Sequence, residues 1–497
     1  MTKKGKGYAP AESNPGNYHG VSKFDLTGIP DPEVAPAESF SNAFGRTLSA
    51  AGNTDKTLCA ITAAMKYGTG LQFFSHAHPE RFFDVGMAEQ HAVTFAAGLA
   101  SKGMLPVVCI YSTFLQRSYD QIIHDVNLLH ENVVFAVDRA GFVPGDGETH
   151  QGIYDPAFLS QTGMPIYSPS NYEELRHWLP ILLSHEMQGP RAIRYPRGGE
   201  SKALAKYGCS GKEYDKLVSA PGAKAALVSY ADEVEDVLAA AEMLAKEGIP
   251  CDVYKLVRIF PFEEELIHDL SSYPVVLMAE ECVACGGIGE HLARALQDAG
   301  WQGRYIHRAV KKLCYSPSNY EELRYWLAIL LRHEMQGPRA IRYPRGGESK
   351  VLAGYGCTGR EYDKLVSLPG AKTALVSYAD EVEDALAAAE LLAKEGVPCD
   401  VYKLVRIFPF GEGLVQELSA YSIVLMAEEC AACGGIGEHL ARALQDAGWR
   451  GRYIHRAVRE LSLPHATVPQ IKQATGLDAV HLAEAVQAAD PKGEKTL

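Results

Sequence analysis

The stretch Asp84-Val-Gly-Met-Ala-Glu-Gln-His-Ala-Val-Thr-Phe-Ala-Ala-Gly98 is where residue types and spacing come closest to chemistry. A glycine followed by a run of helix formers places Glu89 in a helical first turn, where the macrodipole favours a carboxylate. Such a residue is either an acid set up for proton transfer or a dipole-compatible helix starter, and spacing alone does not choose between them. Three other signals carry less. Gly145-Asp-Gly147 with Asn171 downstream imitates a metal and diphosphate motif, but it sits in the middle of a loop well past its strand. Cys282-x-x-Cys285 and Cys430-x-x-Cys433 together have zinc-ribbon spacing. They are one loop read twice, however, and two folded copies are expected to hold them far apart, so no metal ligands are assigned. GGIGE at 286–290 and 434–438 lacks the G-x-G-x-x-G spacing of a dinucleotide turn and reads as a close strand-to-helix connection.

The elements that must position these residues alternate. Residues 1–36, rich in Pro, Gly and Asn, read as a linker. From Ser39 onward the pattern gives helices at 39–51, 88–102, 114–129 and 171–187, and apolar strands at 57–62, 105–110, 132–137, 164–167 and 192–195. Strand and helix in alternation imply a parallel sheet covered on both faces. A second unit follows with strands at 226–230, 251–257, 275–281 and 304–310 and helices at 231–247 and 286–300.

That second unit is written twice. Residues 167–313 recur at 315–461 with an offset of 148, no insertion and 24 mismatches in 147 positions. A domain-sized period is a tandem duplication rather than a solenoid repeat. Changes such as Ile249 to Val397 and Asp269 to Glu417 keep size or charge, as two folded copies would require. Only the second copy continues into LPHATVPQIKQATGLDAVHLAEAVQ, so it is the complete one. Either 167–198 or 315–346 could fill the first sheet. The distal choice loops out 148 residues at a closure cost on the order of 4 kcal/mol, so the proximal segment is expected there.

Composition narrows the function classes. The chain has 497 residues, 48 Lys plus Arg against 61 Asp plus Glu, and a net charge of −13, with no basic run to follow a phosphate backbone. Nucleic acid is not expected as a partner. No apolar stretch is long enough to span a membrane and the N-terminus lacks a signal-peptide core, so a cytoplasmic location is expected. The 11 cysteines are scattered through strand-like runs as well as loops, which is reduced usage rather than a disulfide framework.

Taken together, DVGMAEQHAVTFAAG at 84–98, YSTFLQRSYDQ at 111–121 and DRAGFVPGDGETHQG at 138–152 resemble the pyrimidine-binding domain of the transketolase family. The likeness extends from TKKGKGYAPAE and YHGVSKFD near the start through AIRYPRG to the repeated unit. It implies an α/β chain: a parallel-sheet pyrimidine-binding domain followed by two copies of the transketolase C-terminal α/β domain. The segments are 1–36 remnant and linker, 37–199 pyrimidine-binding domain, 200–222 linker, 223–313 truncated first copy, 314–346 duplicated strand and helix, 347–370 linker, 371–490 complete second copy and 491–497 tail.

The resemblance also implies thiamine-diphosphate chemistry, in which the cofactor carries the carbanion and the protein orients it. By this likeness Glu89 bonds the aminopyrimidine ring and relays a proton, Phe114 stacks on that ring and Tyr8 touches the cofactor. His150 and His19 approach the reacting carbonyl, a task suited to an imidazole. Arg117, Arg139, Arg194 and Arg197 hold a substrate phosphate, with Tyr111 and Asp146 lining the same pocket. The implied substrates are pyruvate and glyceraldehyde 3-phosphate, condensed with loss of carbon dioxide to an isoprenoid and thiamine precursor.

Family members carry a further domain ahead of TKKGKGY that supplies the Mg2+ ligands and the diphosphate cradle, so metal ligands are expected from outside this sequence. The chain alone is accordingly expected to turn over little, with a homodimer or a separate chain completing it. A β subunit of a two-chain 2-oxo acid dehydrogenase, a split transketolase and a non-catalytic scaffold remain competing readings. The RAGFVPGDGETHQG loop disfavours the first.

Overall fold

The computed structural model describes residues 5–13, 38–143, 148–310, 349–356, 358–459 and 466–489. Among them the first sheet has seven strands. In chain order they are β1 (Leu58–Thr62), β2 (Phe82–Asp84), β3 (Leu105–Tyr111), β4 (Val134–Asp138), β5 (Ile166–Tyr167), β6 (Arg191–Tyr195) and, from the first repeat, β10 (Arg258–Phe260). The spatial order is β10-β5-β6-β4-β3-β1-β2, parallel except for β10. Every residue of β1, β4 and β6 is buried, as a sheet covered on both faces requires. Helices Phe40–Thr54 and Tyr172–Leu182 cover one face through Phe40, Phe44, Leu48, Leu175 and Leu179. Helix Glu89–Ala100 covers the other through Ala92, Val93 and Ala96. Both large helices on the first face begin at side-chain caps: Ser39 accepts from the Asn42 amide at 3.2 Å and Asn171 from that of Glu174 at 2.8 Å. Asn171 is thereby occupied as a cap.

The proximal segment supplies β5 and β6, as the loop-closure argument requires; 315–346 lies outside the described residues. The second sheet contains β7 (Tyr214–Val218), β8 (Ala225–Tyr230), β9 (Cys251–Leu256), β11 (Val275–Val283) and β12 (Arg304–Val310), in the order β12-β11-β8-β9-β7. The third repeats it with β13 (Tyr362–Val366), β14 (Thr373–Tyr378), β15 (Cys399–Leu404), β16 (Ile423–Ala431) and β17 (Arg452–Val458). Strands β7 and β13 fall in the segments 200–222 and 347–370 that the sequence reads as linkers. Each pairs antiparallel with the edge of its own sheet. The expected helix 114–129 is also subdivided, into Ser112–Leu115, Gln116–Ser118, Tyr119–Gln121 and a π-helical turn Ile122–Asn127.

The first repeat is fused to the pyrimidine-type domain. Strand β10 extends the first sheet, and one apolar core runs from Leu159 and Ile166 into Ala226 and Val228. The two repeats then meet through helices Ile288–Asp298 and Ile436–Asp446, which share the sequence IGEHLARALQD. His291 Nδ1 lies 3.3 Å from Glu438 Oε1, and His439 Nδ1 lies 2.7 Å from Glu290 Oε1. Residue i meeting j while j meets i is the pattern of a two-fold interface, here closed within one chain. It corrects one expectation. Gly286 lies against Gly434, so the two Cys-x-x-Cys loops, which lead into these helices, are neighbours rather than far apart. Among the described residues no group of three or more His, Cys, Asp or Glu is arranged to hold a metal ion.

This contact should depend on pH. Burial lowers the affinity of His291 for a proton, but Glu438, Glu290 and Glu280 outweigh it and the net shift is upward. His439 is raised in the same way, by Glu290, Glu438 and Glu428 against burial. Burial pushes the Glu438 carboxyl up, yet His291 and the Gly434 amide hold it below its ordinary value. Ser160 Oγ, 2.8 Å from His291 Nε2, and the Phe260 ring complete the surroundings of His291. A raised histidine stabilises fully below its ordinary pKa and loses that contribution as pH rises through the raised value. A depressed carboxylate does the reverse on the acid side. Hydrogen-exchange protection factors, the intrinsic rate over the observed one, should therefore be largest in 288–298 and 436–446 between about pH 4.5 and 6.5 and fall toward alkaline pH. His291→Gln with His439→Gln should flatten the alkaline limb.

Candidate active site

Six of the expected site residues gather past the carboxyl ends of β2, β3 and β4, beside the point between β1 and β3 where the strand order reverses direction; in open α/β sheets this is where ligands bind. Strand β2 ends at Asp84, Gly86 turns the chain at a φ of 73°, and helix Glu89–Ala100 starts with the glutamate. Only Gly and a few polar residues accept that φ without strain. Glu89 is 5% exposed, and its Oε1 accepts from Arg117 Nη1 at 3.2 Å. The Arg117 side chain is itself 55% exposed, so the buried carboxylate lies beneath a group that opens to solvent.

From Arg117 the cluster continues without a break. Its guanidinium sits 5.3 Å from the centroid of the Phe114 ring. Phe114 stacks on Tyr111 at 5.9 Å and meets the His150 ring edge-on at 5.3 Å. Arg139 covers Tyr111 at 3.7 Å. Arg139 has a φ of 59°, a sparsely populated conformation for a residue with a side chain. It is held by Nη1 donating to Gly68 O and to Asp138 Oδ1, both at 2.8 Å. Asp138, fully buried at the end of β4, has its carboxyl pushed up to about 6 by burial, against the opposing pull of Arg139 and Ser41.

His150 ends a single turn, Glu148–His150. Thr113 Oγ1 donates to Thr149 O at 2.9 Å, and His150 Nδ1 lies 2.9 Å from Thr149 Oγ1. The loop bearing it is closed by reciprocal backbone bonds between Gly141 and Gly152, at 2.7 and 2.9 Å. The first repeat clamps it from outside: the Phe142 amide donates to Glu281 Oε2 at 2.9 Å and the Val283 amide to Ile153 O at 3.0 Å. The first repeat is thus the one that holds the His150 loop.

The other expected residues are placed differently. Arg194 is 1% exposed; its Nε donates to Asp155 Oδ2 at 2.7 Å and its Nη1 to Ser168 Oγ at 3.2 Å. A phosphate could reach it only by displacing Asp155. Arg197 is exposed just past β6, and Tyr8, beside the short helix Ala9–Ser13, is 54% exposed. His19 and Asp146 lie outside the described residues. Sequence reading missed Asp138 and Asp155. Asp138 could have been found as the acid ending an otherwise apolar strand, whereas nothing near Asp155 marks it. The GGIGE turn is also resolved: Glu280 accepts from the Ile288 and Gly289 amides at 3.1 and 2.8 Å, so the helix N-terminus is sealed by the protein's own carboxylate.

Residues 37–199 match the transketolase pyrimidine-binding domain, and residues 215–329 and 364–482 match the transketolase C-terminal domain. The chain belongs to the transketolase family. It is 40% identical over 365 residues to 1-deoxy-D-xylulose-5-phosphate synthase of Natranaerobius thermophilus, covering 73% of this chain and 53% of that protein. To the synthase of Magnetococcus marinus it is 44% identical over 329 residues, covering 64% and 51%. The chain spans about half the length of the curated relatives it matches. A solved split-gene transketolase, described as an inactive β4 tetramer, is 25% identical with a TM-score of 0.49, over 55% of this chain and 89% of that one. Among the described residues no helix is long and apolar enough to cross a membrane.

Proposed function

We propose that this chain provides the pyrimidine-side half of a thiamine-diphosphate-dependent 1-deoxy-D-xylulose-5-phosphate synthase, which joins pyruvate to glyceraldehyde 3-phosphate with loss of carbon dioxide. The observation that carries this reading is the unbroken contact from Glu89 through Arg117 and Phe114 to His150 and Arg139. The residues present suit the cofactor. Phe114 is only partly buried, and the partner of Glu89 is a half-exposed guanidinium that an aminopyrimidine nitrogen could replace. When bound, thiamine diphosphate supplies the carbanion chemistry.

In this reading Glu89 holds and returns a proton at the ring nitrogen, Phe114 sets the ring plane, and His150 faces the reacting carbonyl. Arg139 and Arg117, with Tyr111 beneath Arg139, receive the substrate phosphate, and Arg197 joins them on the family likeness alone. Mg2+ and the cofactor's diphosphate are assigned to the portion of the relatives not matched here. Arg139→Ala should raise the KM for glyceraldehyde 3-phosphate by about tenfold or more while leaving that for pyruvate within about twofold, as loss of a bidentate phosphate donor predicts.

The deciding experiment assays the chain with both substrates, Mg2+ and thiamine diphosphate, with and without the N-terminal half of a curated relative. Product only in the presence of that half supports the proposal. Turnover by residues 1–497 alone, or micromolar cofactor binding to them by calorimetry, would overturn the assignment of the metal and diphosphate to that unmatched portion. No product in either arm would overturn the catalytic reading.

A further inference from the structure

The two repeats are nearly one sequence in two different surroundings, and the difference exposes an empty seat. In the second repeat, the tail helices Val468–Thr475 and Ala479–Ala489 close over the domain. Leu477, Leu482 and Val486 join one core with Leu386, Ala388, Leu392 and Leu425. Lys472 sets its ammonium among three carboxylates, 3.0 Å from Glu381, 2.7 Å from Asp384 and 2.9 Å from Glu429. The counterparts in the first repeat are the identical residues Leu238, Ala240, Leu244 and Leu277, with Glu233, Asp236 and Glu281.

There the surface stands open. Ala388 and Leu392 are fully buried, whereas Ala240 is exposed and Leu244 half-buried, and the neighbouring Met243 is 65% exposed. Among the described residues no helix plays the part of Ala479–Ala489 and no ammonium is paired with Glu233 or Asp236, while Glu281 is held instead by the Phe142 amide at 2.9 Å. Burial and the like charges of Glu281 and Asp236 push the Glu233 carboxyl up. Val237, which replaces Ala385, is 3% exposed and turned into its own domain, so it does not obstruct the face.

We propose that this face of helix Glu233–Lys246 is a docking site for a two-helix tail of the same chemistry, supplied by another polypeptide. Such a tail carries a lysine in the last turn of its first helix and a Leu/Ala/Val stripe along its second. Among the described residues there are two seats and one such tail. The short connection from β17 to Val468 keeps that tail on its own repeat at high effective concentration, and residues 315–346 carry the sequence of a strand and helix of the first domain rather than of this tail, so the occupant proposed is another polypeptide. Burying Leu238, Leu244 and Met243 supplies the apolar contact, and the lysine neutralises carboxylates that otherwise repel one another.

A synthetic peptide with the sequence of residues 466–489, titrated into the full-length chain, tests this. Saturable 1:1 binding is expected, with slowed hydrogen exchange across 233–246. Digests distinguish that helix from 381–394 because Val237 and Met243 stand where Ala385 and Leu391 do. Lys472→Glu in the peptide should weaken binding to the wild-type chain by about tenfold or more. Leu238→Asp in the chain should abolish it. Absence of binding, indifference to the lysine change, or protection appearing on 381–394, which would mean exchange with the resident tail, overturns the proposal. Should the Leu238→Asp chain not fold, the peptide variant and the exchange map decide alone.

Discussion

Glu89→Gln is expected to lower turnover of the reconstituted enzyme by roughly 10²- to 10⁴-fold, the range that a positioned proton-transfer group contributes. The substitution is isosteric, and the amide oxygen can still accept from Arg117 Nη1, the contact made now at 3.2 Å. The melting midpoint should therefore move by no more than the equivalent of about 1 kcal/mol. What the amide cannot do is take up and return a proton. The loss should fall on kcat and on kcat/KM together, as for an interaction realised in the transition state rather than in uniform binding. Full activity in the Gln variant would show that Glu89 only starts a helix. A large stability loss would show that its part is structural.

What the sequence made legible depended on how local the cause was. Glu89 was placed in a first turn from its own neighbours, and the helix does begin there. Strands β1, β3 and β4 were visible because continuous apolar runs between turns have few other folded uses. Strands β7 and β13 were not, since YDKLV is short and follows no two-residue alternation. Its pairing partners lie more than 30 residues away, on an edge that the parallel pattern does not announce. The arginines divide in the same way. Arg139 and Arg194 look alike in a sequence, each following an apolar run. Only the fold shows that one covers Tyr111 at the strand ends while the other lies inside, against an aspartate 39 residues back. The duplication was plain, but the identity of the two IGEHLARALQD helices carried a further message. Identical surfaces that pair reciprocally can close on each other, and this brought together the loops that counting along the chain had separated.

Arg194 is also where the largest loss of stability is expected. Its guanidinium lies over the Tyr230 ring of the first repeat at 5.4 Å, and Tyr230 Oη donates to Glu280 Oε2 at 2.7 Å, the carboxylate that seals the Ile288 helix. On the other side Asp155, fully buried, accepts from Arg194 Nε and from Ser112 Oγ at 2.8 Å, where the segment bearing Phe114 begins. The pair therefore joins the site to the sheet and the first domain to the second. Asp155→Ala removes the carboxylate that, among the described residues, alone pairs with this fully buried guanidinium, and breaking such a pair costs about 3–5 kcal/mol. Against a total stability of roughly 5–15 kcal/mol, that is enough to unfold much of the population near physiological temperature. Asp155→Leu with Arg194→Met should recover most of the loss, because an apolar pair of similar volume leaves no charge buried without a partner. Denaturant midpoints of the three variants give the comparison. If Asp155→Ala shifted the midpoint by less than about 1 kcal/mol, or if the double replacement were no better than the single, solvent must already reach Arg194 and it would return to the phosphate-binding set.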